Sequence, residues 1–236
     1  MPTLDAVKKE FETLLCETPS GELYKKNQIK RTGQVDGKHY SEIYAKCLLK
    51  DKDYLTKLEE IHYLDRQKSY KVPDREKQRG SKNAKRLRAE ERFAYRLYDE
   101  RQDLGPLGAV FYYQVPLKES NDDRGAGKID LVSTSGRGEP VYLIELKYGR
   151  NGESLLKAVL EIHTYYRLLN RENFITSFDE IKGRKPEQIR KAVLLGPETK
   201  AYEEARCLQK MPNLKALIQK LKVNIFCYAP EKIRIA

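Results

Sequence analysis

Three residues near the middle of the chain have the types and spacing for phosphoryl chemistry. They are Asp130 within KIDLVST, and Glu145 and Lys147 at the end of VYLIELK. Side chains alternate along a strand, so Glu145 and Lys147 share one face while Tyr142, Ile144 and Leu146 take the other. Only the short turn SGRGEP separates the two segments, which predicts an antiparallel pair. Paired strands lie about 4.8 Å apart, which lets Asp130 stand beside Glu145. Two close carboxylates repel unless a cation neutralises them. A hard divalent ion, Mg²⁺ or Mn²⁺, suits such oxygen donors and keeps several waters. Lys147 reaches the same space with a positive charge. The set suits hydrolysis of a phosphodiester: a metal polarises the phosphoryl oxygen and acidifies water, and the lysine orients that water or stabilises developing charge.

The E-x-K spacing alone is weak evidence. It recurs as EIK at 180–182 and ETK at 198–200, as expected in a chain this charged. Only the 145–147 copy ends a continuous apolar strand with an acid-bearing strand just before it. The competing reading is a structural ion pair at a strand end.

The elements that must position these residues are legible in the hydrophobic pattern. Residues 84–102 predict an amphipathic helix with Leu87, Ala94, Leu97 and Tyr98 inward. Strands follow at 109–117, in KIDLVST and in VYLIELKY, by their β-branched and aromatic content. Residues 153–170 predict a helix, IRKAVLLGP a strand, 199–221 a helix and VNIFCYAP a last strand. From residue 84 the order is α-β-β-β-α-β-α-β, an α/β (α+β) arrangement with helices against a mixed sheet. Residues 1–83 form a helical, basic N-terminal region, with helical spacing over 4–16 and again over 41–64. The expected division is therefore 1–83 and 84–236.

The chain of 236 residues carries 46 Lys and Arg against 35 Asp and Glu, a formal net charge of +11. That balance fits a polyanionic partner, nucleic acid first of all. The steepest charge feature is 66–88, where Pro73 and Gly80 break any long helix. It reads either as a solvated loop or as a phosphate-contacting arm, with Lys82, Lys85, Arg86 and Arg88 as contacts and Tyr63 and Tyr70 as stacking groups. The segment 182–191, KGRKPEQIRK, is expected to add to the same basic surface. No signal-peptide segment or membrane-length apolar run is present, and the four cysteines form no CxxC pair. A reducing cytoplasm is the expected compartment.

Asp130 in KIDLV, Glu145 and Lys147 in LIELK, and the α-β-β-β-α-β order around them resemble the PD-(D/E)xK nuclease superfamily, the restriction-endonuclease-like fold. The resemblance covers roughly 84–236 and departs from the pattern at Ile129, which stands where a proline is often found. It implies a metal-dependent nuclease using Mg²⁺ or Mn²⁺, acting on DNA ahead of RNA, with Asp130 and Glu145 as metal ligands. It also implies a further metal-assisting acid on the preceding helix, Glu90 or Glu91. On the helix after the lysine strand it implies Glu161 and Tyr165 at a Gln-x-x-x-Tyr spacing, with Glu in place of Gln. Lys157, His163 and Tyr166 are weaker candidates, Lys157 as a nucleic-acid contact. The alternatives are an inactive nucleic-acid-binding module, or an interaction subunit of a defence or recombination assembly. A homodimer or a larger assembly is the expected state of the chain. A fold does not force an activity.

Overall fold

The computed structural model describes residues 2–72, 88–119 and 127–229, and the backbone of Arg234–Ile235. Lys82, Lys85, Arg86 and Leu87 lie outside the described residues. The first part is helical: α1 (Leu4–Glu17), the short α2 (Asn27–Lys30), α3 (Tyr40–Lys50) and α4 (Lys52–Glu59). Between α2 and α3, β1 (Gln34–Val35) and β2 (Lys38–His39) form a hairpin. Its turn, Asp36–Gly37, has φ of 48° and 71°, the left-handed geometry that an Asp-Gly pair adopts readily.

The second part is a mixed sheet with flanking helices. Helix α5 (Ala89–Asp99) leads into an antiparallel meander of β3 (Ala109–Pro116), β4 (Lys128–Thr134) and β5 (Val141–Lys147). Helix α6 (Leu155–Leu168) crosses over to β6 (Ile189–Leu195), which pairs parallel to β5, with α7 (Arg171–Thr176) on the way. Strand β7 (Val223–Cys227) pairs parallel to β6, and the two-residue β8 (Arg234–Ile235) pairs antiparallel to β7. Parallel neighbours require such crossovers, because no tight turn can return the chain to the same end. The spatial order follows the chain order from β3 to β8.

Most expected elements are found where periodicity placed them. The expected helix at 199–221 is instead two, α8 (Lys200–Arg206) and α9 (Pro212–Lys220), divided by a 3-10 turn at Leu208–Lys210. Pro212 explains the break: proline disrupts a helix interior but fits the first turn, where it sits here.

One hydrophobic core runs through both parts, from Phe11, Leu23, Tyr44 and Leu58 to Leu131, Leu143, Ile162 and Leu214. Polar staples cross it. Ser154 Oγ donates to Ile29 O, and Ser41 Oγ and the Leu155 N–H donate to the buried Glu204 carboxylate at 2.9 and 2.8 Å. Burial pushes the Glu204 carboxyl up to about 7 from 4.5. An acid raised in the folded state is a stability cost that grows as pH climbs from its unfolded value through its folded one. By pH 8 this cost is on the order of 3 kcal/mol. Glu204→Gln keeps an oxygen for Leu155 N–H and an amide for Ser41. It is therefore expected to raise the thermal midpoint at pH 8 and to change it little at pH 5. Equal shifts at both pH values would remove charge as the cause.

Candidate active site

The β4–β5 ladder pairs Leu131 with Ile144, and one step further along it Asp130 lies across from Glu145. Residues directly opposite in an antiparallel pair point to the same face, so both carboxylates open on one pocket. Asp130 is held from two sides. Its Oδ2 accepts from Leu146 N–H at 2.9 Å, and its Oδ1 from Gln114 Nε2 at 3.0 Å. Gln114 lies between the β3–β4 pairs Tyr113–Leu131 and Val115–Ile129, hence opposite Asp130. Its φ is 52°, left-handed backbone that is uncommon outside glycine. Such a conformation costs about 1–3 kcal/mol and persists where neighbours over-determine it. Both hydrogen bonds to Asp130 come from neutral groups. Burial, and then the nearby Glu90, push its carboxyl up to about 7, with Lys147 pulling the other way.

Glu145 and Lys147 share a face as expected, and both are buried. The Lys147 ammonium meets three carboxylates: Glu145 Oε1 at 2.7 Å, Glu153 Oε2 at 2.9 Å and Glu161 Oε2 at 3.2 Å. A second lysine, Lys157 of α6, pairs with Glu153, just before the helix, and with Glu161, one turn along it. Burial alone would lower the Lys147 pKa, but Glu145 and Glu161 outweigh it and raise it well above the ordinary value. Those carboxylates favour the charged form of Lys147. Burial, then Glu161, push Glu145 upward. Burial would raise Glu161 too, but Lys147 and Lys157 hold it down to about 2.

Helix α5 contributes Glu90, whose Oε2 accepts from Tyr148 N–H and Asn151 Nδ2, both at 3.1 Å. This ties α5 to the loop leaving β5, where Phe93 also stacks on Tyr148 with ring centroids 3.7 Å apart. Glu91 also lines the pocket, but its carboxylate accepts from the Arg88 N–H at the start of its own helix. Of the two α5 acids, Glu90 is the one turned inward.

On α6, Tyr165 donates to Glu161 Oε1 at 3.1 Å, the two residues one turn apart. The Tyr165 ring meets Tyr24, from the N-terminal part, edge-on at 5.5 Å. It also lies against Gly127, where an added Cβ would fall 2.0 Å from the Tyr165 hydroxyl oxygen. Gly127→Ala is expected to destabilise the protein by about 1–3 kcal/mol, as overpacking does. In a Tyr165→Ala background the same change should cost little. Additive losses in this double-mutant cycle would show that the contact is not the cause.

The pocket has a volume of about 430 Å³. It gathers Asp130, Glu145, Lys147, Glu161 and Tyr165, with Glu90, Glu91, Arg88 and Lys157 also on its lining. Lys157, expected on a nucleic-acid surface, is buried in the ion-pair cluster. Sequence reading missed Gln114, Asn151, Glu153 and the exposed Lys128, which also line it. Lys128 had a signal: it lies two residues before Asp130, on the same strand face. Gln114 had none until the β3–β4 register was known.

The expected basic surface is corrected in two places. Tyr70 is fully buried, not free to stack, and Arg66 is buried with its guanidinium donating to the carbonyls of Lys118 and Ser69. This beginning of the charged run is an anchor, although Tyr63 is 60% exposed. The 182–191 segment does not border the site. Arg190 pairs with Tyr142 at the start of β5, whereas Lys147 ends that strand. Arg88, at the N-terminus of α5, is exposed at the pocket. The other E-x-K copies fall at a 3-10 turn (Asp179–Ile181) and at the start of α8, where strand parity has no bearing.

No group of three or more His, Cys, Asp and Glu side chains among the described residues is arranged to hold a metal ion. Mg²⁺ does not need such a cage: it is commonly held by one or two carboxylates, with water and substrate phosphate completing the shell. Asp130 and Glu145, facing one pocket, fit that mode. No helix among the described residues is long and apolar enough to cross a membrane. No family model, curated protein or solved structure matches the chain.

Proposed function

We propose that the chain is a nuclease of restriction-endonuclease-like fold that hydrolyses phosphodiester bonds with Mg²⁺ or Mn²⁺, in DNA ahead of RNA. The observation that carries this reading is the β4–β5 pairing, which delivers Asp130, Glu145 and Lys147 to one pocket beside Glu90 of α5. Bound there, the ion would supply Lewis-acid polarisation of the phosphoryl group and a more acidic water. Asp130 and Glu145 would hold it. Lys147, whose N–H groups already meet three glutamates, would supply positive charge close to oxygens that gain charge in the transition state. Exposed Arg88 and Lys128 suit the flanking phosphates. The decisive experiment incubates the full chain with labelled DNA and RNA, single- and double-stranded, with Mg²⁺, Mn²⁺ or EDTA. Cleavage that needs the metal supports the reading, and its absence on every substrate overturns it.

A second reading has one observation in its favour. All three carboxylates on Lys147 are within 3.2 Å, so its charge is already matched inside the protein. This suits a nucleic-acid-binding module, alone or in a larger assembly, whose former site has become a structural ion cluster. Metal-independent, salt-sensitive retention of DNA without cleavage would select it.

A further inference from the structure

At the other end of the sheet a second cavity, of about 920 Å³, lies between the last turns of α6, the start of β6 and the entry to β7. Six cationic side chains and two carboxylates line it among the described residues. At its centre is Lys191, only 7% exposed. Its ammonium lies 3.0 Å from His163 Nδ1, and no carboxylate among the described residues pairs with it. His163 is itself buried, and its Nε2 lies 3.2 Å from Leu58 O. Donation to that carbonyl leaves Nδ1 as a neutral acceptor for the lysine. Burial, and then Lys191, push His163 down to about 3; a histidine carries no negative charge in either form, so it offers Lys191 no countercharge.

The neighbours make the imbalance worse. Arg167, Arg171 and Lys222 line the same cavity; burial, with these cations, pushes the Lys191 pKa down to about 8, while Glu59 pulls it the other way. Glu59 approaches Arg167 only to 4.0 Å, and Arg167 Nε is buried with no hydrogen-bond partner among the described residues. Lys191 and Arg171 lie against the Tyr166 ring, each 4.9 Å from its centroid. A buried cation is expensive unless paired, and guanidinium groups favour planar two-point contacts with carboxylate or phosphate. Several cations around one cavity call for an anion with more than one charge. The volume also allows for the group that carries it.

We infer that this cleft binds a phosphomonoester, the terminal phosphate of a free nucleotide or of a nucleic-acid strand, through Lys191, Arg167 and Arg171. Along the strands it lies four to five residues from Lys147, roughly 15 Å at the rise of a β-strand. It is therefore separate from the carboxylate pocket, and the inference does not depend on cleavage.

The test is equilibrium binding to the full chain in EDTA, which suppresses metal-dependent cutting. The probes are AMP, adenosine, and one oligonucleotide with either a 5′-phosphate or a 5′-hydroxyl. At least tenfold tighter binding of AMP over adenosine would identify a free nucleotide as a source. The same preference for the phosphorylated strand alone would identify a strand end. In either case Lys191→Met and, on the half-buried rim, Arg171→Gln should each abolish the preference. Arg171→Gln keeps the test valid if the buried substitution fails to fold. No preference in the wild type, or a preference that survives Arg171→Gln, would overturn the inference. So would equal loss of both strands in the variants, which would mark a general backbone contact.

Discussion

Lys147→Ala is expected to slow metal-dependent cleavage by at least a hundredfold and, separately, to lower the thermal midpoint by roughly 10 °C. The first effect follows from removing a fixed cation from a pocket where charge would develop on substrate oxygens. The second follows from the surroundings. Lys147 is 3% exposed and pairs with Glu145, Glu153 and Glu161. Without it Lys157 alone is left among three glutamates, and removing one partner of a buried pair costs about 3–5 kcal/mol. The strand pattern alone suggests a lysine whose loss leaves folding nearly intact; the ion cluster predicts otherwise. A compensating change separates the two effects. Adding Glu145→Gln removes one stranded charge and should recover much of the lost stability, but none of the cleavage. Cleavage at the wild-type rate by Lys147→Ala would take the lysine out of the chemistry. An unchanged melting curve would show that the cluster contributes little to the fold.

The alternation of VYLIELK and the short turn before it were enough to place Glu145, Lys147 and Asp130 on one face, because strand parity is local information. The order of strands and helices from 84 onward was legible for the same reason. What the local pattern could not carry is partner choice. Nothing in ESLLKAVLE says that Glu153 turns to Lys147, or Lys157 to Glu153 and Glu161, rather than to solvent, because that depends on how α6 lies on β5. The two α5 acids were indistinguishable in RAEERFAY, since adjacent helix positions differ by only about 100° and the helix register was unknown. Arg66 and Tyr70 read as surface groups from composition. They are anchored by Ser69, Lys118 and Asn170, of which all but Ser69 are distant in the chain. The Asp36–Gly37 hairpin was a readable signal that the helical pattern around it masked.

Asp130→Asn is expected to abolish metal-dependent cleavage while leaving the fold within about 1 kcal/mol of wild type, the opposite balance to Lys147→Ala. Asn has the shape of Asp, and the two contacts of Asp130 can be kept. Its oxygen can accept from Leu146 N–H, while its amide faces Gln114, whose own amide can reverse to present an oxygen. Among the described residues, the hydrogen bonds to this carboxylate come from the neutral Gln114 and Leu146 N–H, so the change strands no paired cation there. Under the structural-cluster reading Asp130 has no task beyond these hydrogen bonds, and the substitution should be silent in every assay. Under the nuclease reading it removes a ligand charge and weakens divalent-ion binding. Titration with Mn²⁺, followed by its effect on the melting temperature, checks this without measuring turnover. The wild type should gain stability as the ion is added, and Asp130→Asn should gain much less. Equal stabilisation of both proteins would remove Asp130 from the metal site.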